Sequence, residues 1–381
     1  MNDTTSDTMQ APHALVVGGS VGGLMTAAVL RHAGWRVDVF ERSATPLYGR
    51  GGGLVLQGDV LRLLHHAAIG WHGTPGVTTI DRIWLDAQGN VARRVRMPQT
   101  QTSWNVLYGV LRDAQPAGTV HAGMTLAHYT QDAGGVTAHF TDGTTARGDL
   151  LVGADGARST VRQGIYPALA PRYAGYVAWR GLVPESALPP AVHAQLDDVF
   201  AFQEGERSML LTYPVPDAEG ATVRGARRWN WVWYRPVADG APLRELLTDR
   251  DGVAHEASLP PGALRDDALA ALRRDAHQLA PALRALVDAT DAPFVQAIVD
   301  LLAPGMHDGR VVLIGDAAAV VRPHTAGGTA KAAADALALA RALPHGYDAA
   351  ALAAWANSRH AQAQEMVRWG IGLGDNIMGV P

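Results

Sequence analysis

Apolar and polar positions follow a regular order at the start of the chain. Residues 14–17 form a continuous apolar run that ends at Gly18, which is typical of a buried parallel strand leading into a tight turn. Residues 22–33 have the composition of a helix, and residues 36–41 alternate between apolar and polar side chains as a strand does. This part of the chain therefore predicts one strand–helix–strand unit.

The middle of the chain is rich in predicted strands. Residues 77–97 predict two antiparallel strands around a turn at 86–90, and the segment 172–236 contains several more. Three tryptophans between 229 and 233 occupy alternate positions, so all three should face one side of a strand. The other predicted strands are 119–129, 135–141, 150–154 and 310–315, and the predicted helices are 59–68, 104–113, 264–289, 329–343 and 349–369.

The order of these elements predicts an α/β protein in which a second domain is interleaved with the first. The first domain is expected to be a Rossmann-like nucleotide-binding domain, and the second an α+β domain built on a mostly antiparallel sheet. The predicted ranges are 11–71, 102–168 and 304–345 for the first domain, 72–101 and 169–303 for the second, and 346–381 for a C-terminal helical segment.

Composition excludes several classes of protein. The net charge of −4 is too close to neutral for a nucleic-acid binder, and the hydrophobic content of 48% is too high for a disordered chain. No apolar run approaches the roughly 20 residues that span a bilayer, and the N-terminus lacks the charge pattern of a signal peptide. We therefore expect a cytoplasmic protein that binds neither nucleic acid nor membrane.

The chain contains no cysteine, which excludes disulfides, Cys-ligated zinc and thiol nucleophiles. Any redox chemistry must then come from a bound cofactor. No metal site is predicted. Lys331 is the only lysine, since the other 31 of the 32 basic residues are arginines.

A glycine-rich turn follows the first strand. Gly18, Ser20 and Gly23 have the spacing of a dinucleotide-binding fingerprint, with serine in place of the middle glycine. Glu41 ends the next strand, where an acid can bind ribose hydroxyls, and Arg42 is adjacent. A tight turn without a ligand is the alternative, and both FAD and NAD fit this pattern.

A second motif, Asp155-Gly156, follows the buried strand at 150–154. On its own it could be an Asx turn that caps a helix. A third motif, Gly315-Asp316, places its acid at the carboxyl end of a strand, where ligands bind in open α/β sheets.

A glycine pair follows the third motif and opens an alanine-rich helix. Gly327 and Gly328 come after a loop that contains Pro323, and the amides of the helix start could face an electron-rich ring. The chain has one dinucleotide fingerprint, not two. This favours an enzyme at which a nicotinamide nucleotide binds only transiently.

The three motifs, in this order and spacing, resemble those of the class A FAD-dependent monooxygenases, the aromatic hydroxylases. The resemblance covers nearly the whole chain and implies a Rossmann-like FAD-binding domain. It implies that NADH or NADPH reduces FAD, and that O2 then forms a flavin hydroperoxide, which hydroxylates a small electron-rich aromatic ring. The FAD-binding residues that it implies are Gly18, Ser20, Val21, Gly22, Gly23, Glu41, Arg42, Asp155, Gly156, Gly315, Asp316, Pro323, Gly327, Gly328 and Thr329.

Four segments resemble the members of this family that act on hydroxypyridines, and they imply a substrate such as 2,6-dihydroxypyridine. They are RYAGYVAWRG (172–181), LLTYPVP (210–216), WVWYRPVADG (231–240) and RPHTAGGTAKAAADA (322–336). The family usually has an arginine at the start of the helix predicted at 104–113. Trp104 stands there in this chain, as it does in the hydroxypyridine enzymes.

Three residues are candidates for catalysis. His324 follows Pro323 in the loop expected to face the flavin, so it could accept the proton of a substrate hydroxyl. Tyr213 is a second candidate, and Lys331, the only lysine in the sequence, is a third. The alternatives are a loop histidine that binds a carbonyl, a core tyrosine and a lysine retained by chance. Arg180 could bind an anionic substrate or a nicotinamide phosphate.

Other functions remain open at this stage. The segment from Trp231 to Pro236 resembles a flavin-dependent halogenase motif, although Arg235 replaces the expected isoleucine. A dehydrogenase without oxygen insertion and a nucleotide-binding scaffold are further alternatives. A homodimer is expected from base rates alone.

Overall fold

A computed structural model of the protein describes residues 11–49, 51–71 and 73–379. The helices are α1 Val21–His32, α2 Gly58–His66, α3 Trp104–Asp113, α4 Thr160–Ile165, α5 Pro190–Leu196, α6 Ala241–Leu246, α7 Asp266–Asp275, α8 Pro281–Asp288, α9 Gly328–Ala342 and α10 Ala349–Met378. The strands are β1 His13–Val17, β2 Arg36–Glu41, β3 Gly53–Val55, β4 Val77–Leu85, β5 Val91–Ser103, β6 Val120–Ala122, β7 Leu126–Asp132, β8 Gly135–Phe140, β9 Thr145–Gly148, β10 Leu150–Gly153, β11 Arg172–Pro184, β12 Val199–Gly205, β13 Ser208–Val215, β14 Arg228–Pro236, β15 Ser258–Leu259, β16 Phe294–Leu302, β17 His307–Asp308, β18 Val311–Leu313 and β19 Ala319–Val320.

The first sheet is almost entirely parallel. Its strand order is β17-β18-β10-β1-β2-β6, and only β17 runs antiparallel to its neighbour. Every residue of β1, β10 and β18 is buried, as expected for strands covered on both faces. Helices α1 and α9 and the small antiparallel sheet β7-β8-β9 share the core of this sheet. The predicted Rossmann-like layer is therefore confirmed.

The second sheet has ten strands and is mostly antiparallel. Its order is β15-β16-β11-β14-β13-β12-β4-β5-β3, and β19 pairs with β16. Only the β12–β4 pair is parallel. The mostly antiparallel sheet predicted for the second domain is therefore confirmed.

The two faces of the large sheet have different neighbours. On the outer face, Trp229, Trp231 and Trp233 pack against α5, α7 and α8, which confirms that the three tryptophans share one side. The inner face carries the residues that alternate with these, namely Tyr176, Arg180, Tyr213, Asn230 and Tyr234. This inner face contributes to the candidate site.

Two predicted elements are each divided in the structure. The helix predicted at 264–289 is the pair α7 and α8, because Pro281 begins α8 and its ring forces the preceding Ala280 into an extended conformation. The strand predicted at 119–129 is β6 and β7, which belong to different sheets. Gly123, with a φ of +79°, lies in the turn between them.

The C-terminal helix is longer than predicted. The sequence predicts its end at residue 369, but α10 continues to Met378. The additional turns contain Gly370 and Gly374, which lower helix propensity. Tertiary contacts of both glycines, described below, account for the difference.

The predicted domain ranges correspond only partly to the sheets. All strands of the parallel sheet come from the ranges assigned to the first domain. Strand β3 also lies in such a range, yet it pairs with β5 in the large sheet. The range boundaries stay a prediction. Residues 1–10, which supported the argument against a signal peptide, and the last two residues of the segment 346–381 lie outside the described residues.

The helices in the described part of the chain include none that is both long and apolar enough to cross a membrane. No group of three or more potential metal-ligating side chains was found among the same residues.

Candidate active site

The glycine turn after β1 leaves no space for side chains at two positions. A Cβ on Gly18 would lie 2.4 Å from the carbonyl oxygen of Ala154, and the φ of Gly18 is +109°. A Cβ on Gly23 would lie 1.8 Å from the carbonyl oxygen of Gly18. The close packing of this turn brings the start of α1 next to the carboxyl ends of β1 and β10, and the first amides of a helix are a favourable site for an anion.

Ser20 and Glu41 lie beside this turn. Ser20 is the N-cap residue of α1, but its hydroxyl makes no capping hydrogen bond, so it is available to a ligand. The Glu41 carboxylate accepts hydrogen bonds from the amides of Gly19 and Ser43, each at 2.8 Å. These two bonds fix Glu41 at the carboxyl end of β2. Arg42 is exposed next to it.

The Asp155 carboxylate has one oxygen without a partner. Oδ2 accepts from the amide of Val161 at 3.2 Å, whereas Oδ1 is buried and has no hydrogen-bond partner among the described residues. Burial raises the pKa of this carboxyl. A buried acceptor without a donor is rare, and it indicates that a ligand group completes this position.

Arg162 joins the second and third motifs. It is fully buried, and it donates to the carbonyl oxygens of Ala157 at 2.6 Å and Ala317 at 3.1 Å. The first acceptor follows Asp155-Gly156 in sequence, and the second follows Gly315-Asp316. One guanidinium group therefore sets the distance between the two predicted cofactor motifs.

A buried group of charges lies behind the Gly315-Asp316 turn. Lys331 Nζ donates to the carbonyl oxygen of Gly315 at 2.9 Å and to Asp335 Oδ2 at 3.0 Å. Asp335 also accepts from the amide of Gly315 at 3.1 Å and from Arg359 Nε at 2.8 Å. The turn is thus held on its buried side, while the Asp316 side chain is exposed on the other.

The pKa of the Asp316 carboxyl is raised although the side chain is exposed. The surrounding protein removes part of its hydration, which raises the pKa of its carboxyl, and the charge of Lys331 partly opposes this effect. The prediction that Lys331 is a catalytic group disagrees with its contacts. Its buried amine is hydrogen-bonded to the Gly315 carbonyl and to Asp335, so it supports the turn from its buried side.

The loop before α9 has an unusual backbone. Pro323 begins a short 3₁₀ turn that ends at Thr325, and Ala326 follows with a φ of +52°. Gly327 caps α9, and its amide donates to Thr325 Oγ1 at 3.0 Å. No atom of the described part of the chain lies within 4 Å of the position that a Gly328 Cβ would take. The start of α9 is therefore open on this side, where Thr329 is half-buried.

These features fit FAD. The narrow glycine turn suits a pyrophosphate, Glu41 suits a ribose, and the unpartnered Asp155 oxygen provides an acceptor for a ligand hydroxyl or amide. The Asp316 carboxylate and the open start of α9 offer further polar groups on the same edge of the parallel sheet. The residues that the resemblance implies are brought together, although Arg42 and Thr329 make no contact that distinguishes them.

His324 forms the centre of a second cluster, on the inner face of the large sheet. Its Nε2 lies 2.7 Å from the Tyr176 hydroxyl, and its ring packs edge-on against Tyr234 at 4.2 Å between centroids. Nδ1 is buried without a partner among the described residues. Burial, with the nearby charges of Arg322 and Arg180, lowers the pKa of His324 to about 3.

Three tyrosines surround this histidine or lie near it. Burial raises the pKa of Tyr234 to about 12, and it raises the pKa of Tyr176 and of Tyr213 still further above the ordinary value. All three therefore remain neutral hydroxyls. The charge of Arg180, which lies on the same face of the sheet, partly opposes this effect of burial at Tyr213 and Tyr234.

Arg180 has no counter-charge among the residues that the structure describes. Its Nε is buried without an acceptor, and it makes no ion pair with any carboxylate in the described ranges. A partly buried cation without a partner is costly, so this guanidinium is suited to an anionic ligand.

Arg322 connects the His324 loop to α10. It forms two hydrogen bonds of 2.8 Å with Asp300 on β16 and a third of 2.8 Å with Asp375 on α10. A Cβ on Gly374 would lie 2.5 Å from the Tyr176 hydroxyl and 2.6 Å from Arg322 Nη1. The part of α10 that the sequence did not predict is therefore part of the wall behind His324.

Trp104 stands where the family usually has an arginine, and its ring packs against neighbouring segments. It stacks on Tyr108 at 4.9 Å, and a Cβ on Gly51 would lie 2.4 Å from its Cγ. The tryptophan therefore packs directly against the glycine segment before β3. The halogenase-like tryptophans point away from this region, and Trp231 Nε1 donates to Thr290 at 2.8 Å on the outer face.

Several contributing residues were not identified from the sequence. They are Tyr176, Arg162, Asn230, Tyr234, Asp335, Arg359 and Arg322. Asp335 had a visible signal, because it lies four residues after the only lysine on a predicted helix. The others depend on contacts between distant parts of the chain.

Comparison with known proteins identifies the family. A model described as FAD binding domain-like matches residues 173–300, and one described as FAD binding domain matches residues 265–370. The chain is 35% identical to 2,6-dihydroxypyridine 3-monooxygenase of Paenarthrobacter nicotinovorans, over 87% of this chain and 83% of that protein. It is 30% identical to salicylate hydroxylase of Pseudomonas putida, over 86% of this chain and 76% of that protein.

Solved structures agree with this result. The structure of 2,6-dihydroxypyridine-3-hydroxylase from Arthrobacter nicotinovorans matches with a TM-score of 0.91 and 33% identity, covering 97% of this chain and 93% of that one. Klebsiella pneumoniae HpxO, in complex with FAD and uric acid, matches with a TM-score of 0.78 and 25% identity, covering 97% and 89%. These matches support the hydroxylase over the halogenase, dehydrogenase and scaffold alternatives. The chain belongs to the class A FAD-dependent monooxygenases and is an aromatic-ring monooxygenase that uses FAD, NAD(P)H and O2.

Proposed function

We propose that this enzyme hydroxylates a hydroxypyridine, with 2,6-dihydroxypyridine as its substrate. The observation that carries the proposal is Arg180, which has no acidic partner among the described residues and shares the inner face of the large sheet with Tyr176, the hydrogen-bond partner of His324. A hydroxypyridine that loses a hydroxyl proton becomes an anion and a more electron-rich ring. A cation without a partner favours that form of the substrate. The names of the relatives in the hydroxypyridine group support the same substrate class.

The cofactor is held, in this proposal, by the residues that the family resemblance implies. The amides at the start of α1 and the Ser20 hydroxyl bind the pyrophosphate, and Glu41 binds the ribose of the adenosine. Asp155 and Asp316 bind polar groups further along FAD. When bound, FAD would carry two electrons from NAD(P)H to O2, so that one oxygen atom of O2 is inserted into the ring and the other leaves as water.

His324 accepts the proton of the substrate hydroxyl at Nδ1, while Nε2 remains bonded to Tyr176. Its low pKa keeps the ring neutral before substrate binds, so that Nδ1 offers a lone pair and not a charge. The negative charge that forms on the ring attracts both Arg180 and the protonated His324, which offsets the burial and the cationic charges that lower the pKa of His324 in the absence of substrate. Protein charges that stabilise the product of a proton transfer in this way promote it.

The remaining site residues have supporting roles in this proposal. Tyr213 contributes a neutral hydroxyl on the inner face of the large sheet, and Lys331 positions the Gly315-Asp316 turn through Asp335. The apolar groups of the inner face exclude water from the reacting ring. A homodimer and a cytoplasmic location stay predictions from the sequence.

The proposal is tested by comparing four aromatic compounds with the purified, FAD-loaded enzyme. They are 2,6-dihydroxypyridine, 6-hydroxynicotinate, salicylate and urate. We expect 2,6-dihydroxypyridine to give the highest kcat/KM for NADH oxidation, with one O2 consumed per hydroxylated product. Preference for salicylate or urate, with no product from the pyridine, would contradict the substrate assignment.

Arg180 is tested in the same assay. Arg180→Met should raise the KM for the dihydroxypyridine by about tenfold or more, as the loss of a charged hydrogen bond does. Arg172→Met is the matched control, because Arg172 lies on the same strand and its side chain is 83% exposed. An equal KM in the two variants would remove Arg180 from the substrate site.

A further inference from the structure

The carboxamide of Asn230 has a fixed orientation. Asn230 lies on the inner face of the large sheet, opposite Tyr213 in register, and is 1% exposed. Its side chain accepts a hydrogen bond of 2.8 Å from the amide of Gly53. Because a backbone N–H can only donate, the atom that faces Gly53 must be Oδ1. The amide nitrogen, Nδ2, therefore points away from Gly53.

Asn230 Nδ2 lacks an acceptor. It is buried and makes no hydrogen bond to any of the described residues. Buried N–H groups without partners are rare in folded proteins, because the lost hydration is not replaced. Asn230 as a whole is only 1% exposed, so water at the protein surface does not serve as the acceptor for this nitrogen. The geometry indicates that a ligand oxygen completes its hydrogen bonding.

The polar side chains of Arg180 and Tyr213 lie near Asn230 on the inner face of the sheet. A Cβ on Gly52 would lie 2.9 Å from Asn230 Oδ1 and 3.7 Å from Arg180 Nη1. A Cβ on Gly53 would lie 2.9 Å from the Tyr213 hydroxyl. The two glycines thus let the chain approach the sheet where Asn230, Arg180 and Tyr213 meet. Two of these side chains carry N–H groups that lack acceptors.

We propose that Asn230 Nδ2 donates to a second ring oxygen of the substrate, distinct from the oxygen that loses its proton to His324. This assignment rests on the proposed function and makes Asn230 a specificity-determining residue for rings that carry two oxygens. A site built to bind an oxygen rejects the analogue that lacks it, because its buried donor is then left unpaired. A carbonyl oxygen of bound FAD offers the same acceptor chemistry, so the test separates the two sources.

The test compares two ligands with two oxygens and one oxygen. The dissociation constants of 2,6-dihydroxypyridine and 2-hydroxypyridine are measured from the change in flavin absorbance, without turnover. We expect the unaltered enzyme to prefer the first by about tenfold or more. Asn230→Asp keeps an oxygen for the Gly53 amide and removes the donor, so this preference should disappear.

Two further variants, a second one without the donor and a matched control, are measured in the same way. Asn230→Ser removes the donor without adding a charge, and it should lose the same preference if the aspartate variant does not fold. Asn105→Asp is the matched control, since Asn105 Oδ1 accepts from Gly49 at 2.9 Å in the same glycine-rich segment but is not buried. This control should keep the preference of the unaltered enzyme.

The outcomes separate this inference from the proposed function. A preference that persists in both Asn230 variants overturns the inference and leaves the proposed function intact. Weaker binding of FAD to the apoprotein, with the preference unchanged, shows that Nδ2 serves the cofactor and also overturns it. Failure of the unaltered enzyme to bind either pyridine overturns the proposed function, and the inference with it.

Discussion

The Tyr176 hydroxyl lies 2.7 Å from Nε2 of His324, and this contact joins β11 of the large sheet to the loop before α9. The two residues are 148 positions apart in sequence. Their pairing leaves Nδ1 as the one histidine nitrogen available to a ligand. Gly374 and Arg322 enclose the same pair from α10 and the adjacent loop.

Removal of the Tyr176 hydroxyl should slow catalysis and leave FAD in place. In Tyr176→Phe, Nε2 of His324 loses its partner and the ring is no longer held in one orientation. We expect kcat/KM to fall by about tenfold or more, since a positioned acid–base group contributes on the order of 10²- to 10⁴-fold. Tyr173→Phe is the control, because Tyr173 donates to Val237 at 2.9 Å away from the pair. Equal kcat/KM for the two variants would contradict the role of Tyr176.

The pH dependence should not contain a histidine limb near the ordinary value. The pKa of His324 is lowered from 6.5 to about 3, so the residue is neutral above roughly pH 4. The acidic side of the kcat/KM profile should therefore be flat between about pH 5 and 8, because the neutral His324 can accept the proton of the neutral substrate hydroxyl throughout this range. His324→Gln should lower the plateau by about 10²-fold without changing the shape of the profile there. A limb near pH 6.5 that is present in the parent and lost in the variant would refute this account.

The lowered pKa of His324 also makes the free energy of unfolding depend on pH. The unfolded chain binds a proton at His324 below its ordinary pKa of 6.5, whereas the folded chain does not until about 3. Stability from this group is therefore lost progressively as pH falls from about 6.5 to about 3.

Lys331 should matter for folding and for FAD binding. Lys331→Met removes the cation between the Gly315 carbonyl and Asp335, and loss of one partner in a buried ion pair costs about 3 kcal/mol. We expect a lower free energy of unfolding and weaker FAD binding to the apoprotein. Arg341→Met, on the exposed end of the same helix, should change stability by less than about 0.5 kcal/mol. Unchanged stability and FAD affinity in Lys331→Met would show that the turn does not depend on this contact.

The glycine turn should be essential for FAD. In Gly18→Ala the new methyl group would meet the Ala154 carbonyl at 2.4 Å, so the turn must open and its amides must move. We expect purified protein without flavin absorbance. Gly34→Ala is the control, because its φ is also positive, at +91°, but no atom lies within 4 Å. That variant should lose about 1 kcal/mol of stability and keep its flavin, and flavin bound normally to Gly18→Ala would contradict the site.

Local sequence patterns were sufficient to predict the parallel sheet and to single out the turns at the ends of its strands. The strand–turn–helix order around Gly18, the acid at Glu41 and the Asp155 and Asp316 motifs each depend on neighbouring residues. Such patterns carry their own structural signal, since strand ends and tight turns have strong residue preferences.

Contacts between distant segments could not be predicted in this way. Tyr176, Asn230 and His324 come from different strands or loops, and nothing near them in sequence shows that they meet. The end of α10 illustrates the same limit. Gly370 and Gly374 lower helix propensity, yet the helix continues because both glycines allow close packing against Arg322. For Lys331, composition showed that the residue was unusual, but only the contact with Asp335 showed why.

The most direct test of the central claim is the fate of O2. The FAD-loaded enzyme is given NADH and 2,6-dihydroxypyridine under oxygen-18-labelled O2, and the product is analysed by mass spectrometry. The account predicts a ring product that carries one labelled oxygen atom, formed only when NADH is consumed. An oxidised product without label, or NADH oxidation that yields only peroxide with this ring, would contradict it.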